Sequence, residues 1–389
     1  MQLKLISSLK NLKNKRVLLR LDLNVAVAKN KQILKTDAWR LDKAKATLDY
    51  LVKQQAKIII IAHAGRPNGQ VVKDLSLAPQ AKYLSKLLKQ NIKLWPGDVK
   101  QYANLSHELK NGQIVMLENI RFQAREQKNC QRLAKSLSLL GDVYVNDAFA
   151  NIHRDRDTSM LAITKFLPSY AGFLIAEEVK YLNQILAKPK KLTMIFGGAK
   201  VSSKLFLIQK FLPKAEHILL GGMLANTVLA SRGYVFNQAS YDKRELKLAK
   251  KLTNAKILLP VDGVVTKSLD AKKSSILKVE QATKNNLCVD IGPATVKEYL
   301  KILQSSKMIV WNGPLGYFEN KFLTKNSQNF AKALAKLKQT TIIGGGETVE
   351  LANRLGLLKQ FNFVSTGGGA MMTFLEGKKL PALEALVDK

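Results

Sequence analysis

The sequence predicts an α/β protein of two doubly wound domains, each a mostly parallel sheet of about six strands with helices on both faces, joined by a helix and hinge. Three observations carry this expectation. The chain has 389 residues, enough for two domains at roughly 100–200 residues each. Short β-rich runs alternate with amphipathic stretches almost from end to end. Glycine pairs and triplets follow successive apolar runs in the second half.

The elements read in order. Arg16 to Val25 (RVLLRLDLNV) is a strand, and Leu41 to Gln54 follows with Ala44, Leu48, Leu51 and Val52 at helical spacing. Lys57 to His63 (KIIIIAH) has the unbroken apolar character of a strand buried on both faces. Ala81 to Gln90 is helical, and Gln113 to Glu118 and Asp142 to Asn146 complete the first strand set. The second set is Leu192 to Phe196, His217 to Leu220, Lys256 to Pro260, Met308 to Trp311, Thr340 to Ile343 and Phe361 to Ser365. Helices are expected over Ser327 to Leu337 and Glu347 to Leu355. The break is placed near Leu167-Pro168-Ser169, with Ala176 to Leu186 as a connecting helix. This gives Rossmann-like domains over residues 1–170 and 171–371.

Composition narrows the class. With 46% hydrophobic and 24% charged residues, the chain can bury a full core. No apolar run reaches the ~20 residues that span a bilayer. Met1 to Leu9 lacks the pattern of a signal peptide. Cys130 and Cys288 are far apart, which argues against a disulfide framework and for a reducing cytoplasm. The formal charge of +34 is unusual. Its lysines are spread along the chain, and the densest cluster is Lys188-Pro189-Lys190-Lys191. That pattern favours a lysine-rich solvated surface over a dedicated polyanion site, with non-specific nucleic-acid association at low salt.

Ligands of open α/β sheets bind beyond the carboxyl ends of the strands, and the unusual residues fall there. In the first half they are Asp22, Asn24, His63-Ala64-Gly65-Arg66-Pro67, Asn119, Arg121, Asn146, Asp147, His153 and Arg154, with Arg40 at the start of the first helix. Arginines at successive strand ends point to a small anionic substrate, because guanidinium grips phosphate or carboxylate with two prongs. In the second half the equivalent places hold Gly197-Gly198, Gly221-Gly222, Gly292-Pro293, Gly313-Pro314, Gly344-Gly345-Gly346 and Gly367-Gly368-Gly369. Glycine lets a backbone approach phosphate, and a following helix offers free N–H groups. Gly344 to Thr348 fits that arrangement best, while Lys200 and Lys204 are expected one turn apart on a helix face.

Three motif-based alternatives are rejected. GxxxxGK[ST] is absent, which excludes a P-loop. His153-Arg154-Asp155 imitates a protein-kinase catalytic loop, but Met160 stands where that motif needs asparagine. His63, His107, His153 and His217 lack metal-ligand spacing, so any metal is Mg²⁺ arriving with a nucleotide.

Taken together, these segments resemble phosphoglycerate kinase from about Arg16 to Leu386. In the first half the resemblance rests on RLDLNV (Arg20–Val25), HAGRP (His63–Pro67), LENIRF (Leu117–Phe122) and NDAFANIHR (Asn146–Arg154). In the second it rests on GGAKVSSK (Gly197–Lys204), GGMLANT (Gly221–Thr227), LPVD (Leu259–Asp262), DIGPAT (Asp290–Thr295), WNGPLGYFE (Trp311–Glu319), GGGET (Gly344–Thr348) and STGGGA (Ser365–Ala370).

The resemblance implies reversible transfer of a phosphoryl group from 1,3-bisphosphoglycerate to ADP, giving 3-phosphoglycerate and ATP, in line and on hinge closure. It implies that Asp22, Leu23, Asn24, Arg40, His63, Ala64, Gly65, Arg66, Arg121 and Arg154 hold the glycerate. Gly197, Lys204, Gly222, Gly292, Asn312, Glu319, Gly345, Gly346, Glu347 and Thr348 would hold the nucleotide, with Glu319 on the ribose and Glu347 on Mg²⁺. Arg40, Lys200, Gly345 and Gly346 would act on the phosphoryl in flight. It further implies a monomer, and a C-terminal tail (372–389) returning to the first domain.

Four departures stand out. Glu347 replaces the family's usual aspartate, Ala26 a proline and Leu23 a phenylalanine. Asp155-Arg156-Asp157 stands where small residues and histidine are usual, and is expected to weaken anion binding unless Arg156 pairs with the carboxylates. The departures and the charge of +34 motivate the alternative of a kinase-fold protein with a nucleic-acid-binding or regulatory role and reduced catalysis.

Overall fold

A computed structural model describes residues 2–388. The chain forms two compact units, Met1–Lys180 with Gly377–Lys389, and Tyr181–Glu376. The division falls inside the helix Phe173–Leu186 rather than at Leu167-Pro168-Ser169, because Ser169–Ala171 is itself a strand of the first sheet.

The first unit is built on β1 (Arg16–Leu21), β2 (Lys57–Ile61), β3 (Lys93–Trp95), β4 (Ile114–Leu117), β5 (Val143–Asp147) and β6 (Ser169–Ala171). They lie in the order β3-β4-β2-β1-β5-β6, and all pairs are parallel. The apolar run in β2 is buried on both faces. Ile58 and Ile60 join the core on one side with Val17 and Leu19, and Ile59 and Ile61 join the other with Leu18. The helix expected over Leu41 to Gln54 is two, Ala38–Asp42 and Lys45–Lys53. A tighter turn separates them, in which Ala44 N–H bonds Leu41 O. The C-terminal tail completes this unit: Lys4 N–H donates to Leu386 O at 2.8 Å, and Leu3 pairs with Val387.

The second unit holds β7 (Leu192–Phe196), β8 (His217–Leu220), β9 (Ile257–Leu258), β10 (Asp262–Thr266), β11 (Ser275–Lys278), β12 (Leu287–Ile291), β13 (Met308–Asn312), β14 (Thr340–Gly344) and β15 (Phe363–Val364). Six form a parallel sheet, β15-β14-β13-β7-β8-β9. β9 stops short of Pro260, which has no N–H for the ladder. The other three form an antiparallel sheet, β11-β10-β12, which the sequence reading missed. In both large sheets the chain runs outward from one strand and later returns to its other side. The switch lies between β1 and β5 in the first unit and between β7 and β13 in the second. Crevices at such points take ligands. No described helix is long and apolar enough to cross a membrane.

Candidate functional site

Each switch point carries one half of the expected residues. In the first unit, Asp22 leaves β1 with its carboxylate 2.9 Å from the Arg40 guanidinium. Asn24 Oδ1 accepts the Gly65 N–H at 2.9 Å, which ties the loop after β2 to the end of β1. Asn119 donates to Ala64 O and Leu75 O, and Arg121 donates to Gly65 O at 2.8 Å. The structure thus brings Asp22, Asn24, Arg40, His63, Gly65, Arg121 and Arg154 together. Leu23 and Ala64 are buried, while Arg66 is exposed.

His63 is fully buried between two guanidinium groups. Arg20 lies 3.1 Å from Nδ1 and Arg154 lies 3.4 Å from Nε2. Burial first, then the charges of Arg20, Arg154 and Arg40, hold its pKa well below 6.5, so the ring is neutral. A neutral imidazole has one acceptor nitrogen and one donor. It cannot accept from both arginines, so one of the two guanidinium contacts is not a hydrogen bond to the ring.

Two more members of this cluster are not among the expected binding residues, although Asp157 is expected to weaken anion binding there. Arg20 is completely buried on β1 and bonds Ser159 Oγ, which in turn donates to the buried Glu126 carboxylate. The signal was present: a cation inside an apolar strand needs partners. Asp157 is the other, 3.3 Å from Arg121 and 3.5 Å from Arg154. Arg156 is exposed and does not take up this carboxylate, because the turn after Arg154 carries Asp157 inward.

In the second unit several of the glycines serve contact between loops. A Cβ on Gly197 would lie 2.0 Å from Pro314 O, and one on Gly313 would lie 2.2 Å from Gly197 O. These two loops leave the adjacent strands β7 and β13, and only bare backbone lets them cross. Gly292 faces the Asp262 carboxylate, 2.1 Å from its Cγ by the same measure, and is not on the cleft wall. Gly345 differs. It has φ +95°, and a Cβ there would approach Asn312 Nδ2 at 3.3 Å.

That amide is a buried donor without a partner, while Asn312 Oδ1 accepts from Lys204 Nζ. Lys204 is buried, which lowers its pKa from 10.5 to about 8 against the opposing pull of Glu347 and Glu376. The helix Gly346–Arg354 begins here with no side-chain cap on its first N–H groups. An orphan donor, a desolvated lysine and an uncapped helix start together fit a phosphate. Thr348 stands behind them, its hydroxyl accepting the Gly313 N–H at 2.7 Å.

Beside this cradle is a cleft of about 220 Å³. Gly222, Glu319 and Glu347 share its wall with Leu277, Val289 and Phe318. Desolvation, then the Glu319 carboxylate, raises the pKa of Glu347, and a cation would relieve that. Among the described residues no three His, Cys, Asp or Glu side chains form a metal cage. One carboxylate beside phosphate oxygens suits Mg²⁺ carried by a nucleotide. Lys200 and Lys204 do not share a helix face. The helix starts at Ser202, held by Glu245, so Lys200 lies exposed in the loop before it and Lys204 turns inward.

Comparison with known proteins agrees with this layout. A family model described as Phosphoglycerate kinase matches residues 6–378. The phosphoglycerate kinase of Finegoldia magna is 38% identical over 390 residues, covering 97% of this chain and 98% of that protein. That of Pelotomaculum thermopropionicum is 36% identical, with 97% and 98% covered. Among solved structures, phosphoglycerate kinase from Coxiella burnetii superposes with a TM-score of 0.86 at 35% identity, covering 99% of this chain and 98% of that one. The Pyrococcus horikoshii enzyme also gives 0.86, at 31% identity with 98% of each chain covered. With a family match and relatives that both span nearly its whole length, the chain belongs to the phosphoglycerate kinase family.

Proposed function

We propose that this phosphotransferase moves a phosphoryl group reversibly between 1,3-bisphosphoglycerate and ADP, giving 3-phosphoglycerate and ATP. The observation that carries the reading is the phosphate cradle of Lys204, Asn312 and Gly345 beside an apolar cleft that suits a purine. Asp22, Asn24, Arg40, His63, Arg66, Arg121 and Arg154 would bind the glycerate. Lys204, Gly345, Gly346 and Glu347 would surround the nucleotide phosphates, and Glu319 would take the ribose. Mg²⁺, held by Glu347 and phosphate oxygens, would neutralise charge on the transferred group. Acyl-phosphate chemistry needs no general base here, because the acceptor oxygens are already ionised. Hinge closure and a cytoplasmic setting are part of the same proposal. A match over nearly the whole chain favours catalysis over a kinase fold kept for nucleic-acid binding. A coupled assay with 3-phosphoglycerate and Mg-ATP tests it; no turnover at any Mg²⁺ concentration would overturn it.

Lys204 makes nucleotide binding pH-dependent. Its folded pKa is about 8 against 10.5 when exposed, so between those values the unfolded chain holds more protons, and this group's contribution to stability rises with pH. A bound phosphate favours the ammonium and reverses that preference. The KM for Mg-ATP is therefore expected to rise from about pH 7 to about pH 9, and Lys204→Arg, always charged, flattens the profile. A wild-type KM that stays level across that range removes Lys204 from phosphate contact.

Glu347→Asp withdraws the carboxylate by one methylene in the first turn of the helix Gly346–Arg354. The Mg²⁺ concentration for half-maximal rate is expected to rise roughly threefold or more. An unchanged Mg²⁺ titration would separate Glu347 from the metal.

A further inference from the structure

The arginine cluster of the first unit already contains an anion. Asp157 is 3% exposed, and its carboxylate reaches Arg121 at 3.3 Å and Arg154 at 3.5 Å. Both contacts are longer than the ~2.7–2.9 Å of a tight charge-assisted bond. Neither is two-pronged, and Arg121 Nε is left buried without a partner. Asp157 therefore neutralises the guanidinium pair without saturating it.

The backbone that carries Asp157 is held in place. Its carbonyl accepts the N–H groups of Met160 and Leu161, and the next two residues are pinned to Glu126: Thr158 N–H to the Glu126 carbonyl and Ser159 N–H to its carboxylate. Arg20, His153 and Asp155 complete the charged surroundings of the carboxylate. Whatever anion approaches Arg121 and Arg154 meets a fixed negative charge already between them.

We infer that Asp157 is a resident competitor for the phosphate of the glycerate substrate, a residue that loosens anion binding at Arg121 and Arg154. The inference rests on the proposed glycerate site. It predicts that Asp157→Asn, which keeps an oxygen acceptor for the arginines but removes the charge, binds 3-phosphoglycerate on the order of tenfold tighter. Inorganic phosphate should tighten in the same proportion, because the competition concerns any phosphate at these arginines. The KM for Mg-ATP should not move. Asp155→Asn, at an exposed carboxylate two residues away, should bind both ligands as wild type does.

Calorimetric titration of the full chain with 3-phosphoglycerate and, separately, inorganic phosphate makes the comparison. Ligand-induced rise in Tm reads the same affinity if Asp157→Asn is less stable, and Asp157→Ser is the second variant if it does not fold. Equal or weaker binding by the uncharged variants overturns the inference. So does equal tightening by Asp155→Asn, which would make it an effect of net charge. If wild type binds inorganic phosphate but not 3-phosphoglycerate, the glycerate reading fails, and the phosphate titrations still decide the role of Asp157.

Discussion

Replacing Arg40 by alanine is expected to lower kcat roughly 10²–10³-fold, the loss seen when one positioned donor to a developing charge is removed. Phosphoryl transfer asks the protein for alignment and positive charge around the equatorial oxygens, and little else. Arg40 lies in the helix Ala38–Asp42, with its guanidinium oriented at 2.9 Å by Asp22 at the end of β1. The cradle around Lys204 belongs to the other unit, so nucleotide affinity should stay near wild type. Arg40→Lys should recover little, since an ammonium lacks the planar fork that Asp22 orients. Steady-state assays in both directions, with calorimetric binding of Mg-ATP, measure the split. Equal kcat in Arg40→Ala and wild type would remove the residue from catalysis.

Gly197→Ala should strike the fold instead. Its Cβ would lie 2.0 Å from Pro314 O and 2.7 Å from Gly313 O, both backbone atoms. Those carbonyls are engaged, Pro314 O by the Gly198 N–H and Gly313 O by the Trp311 indole, so neither can move cheaply. The cost is about 3 kcal/mol, the upper end for overpacking. For a unit of this size that lowers Tm by roughly 6–12 °C in scanning calorimetry. Gly346 is the control, because a Cβ there meets nothing within 4 Å. Gly346→Ala should melt near wild type, and any loss of activity in it reports phosphate approach. A Gly197→Ala protein as stable as wild type would contradict the crossing of the two loops.

The large sheets were legible because their strands are apolar and bounded. Leu192–Phe196 and His217–Leu220 form strands at the limits read from sequence. Three of the strands missed had little to bury, whereas the missed β10 and β12 are largely buried. Lys93–Trp95 and Ser169–Ala171 are three residues long with one buried side chain each. Ser275–Lys278 has no buried side chain at all. Such segments are strands because a neighbour offers a ladder, and no local pattern records that.

The same division runs through the candidate site. Arginines and glycines at strand ends, read together with the motifs around them, were enough to indicate a two-part phosphate-handling enzyme. The sequence could not say which glycines face a ligand. Gly197, Gly313 and Gly292 fill crossings and contacts within the unit, whereas Gly345 opens onto the unpaired Asn312 amide. Nor could it say that Asp157 would lie between Arg121 and Arg154. Residue type and order along the chain determine which groups stand at the ends of the strands. Which of them meet is decided by the parallel sheets, which bring residues far apart in sequence within bonding distance, where burial turns ordinary side chains into a neutral His63 and a low-pKa Lys204, and Asp157 is set beside two guanidinium groups.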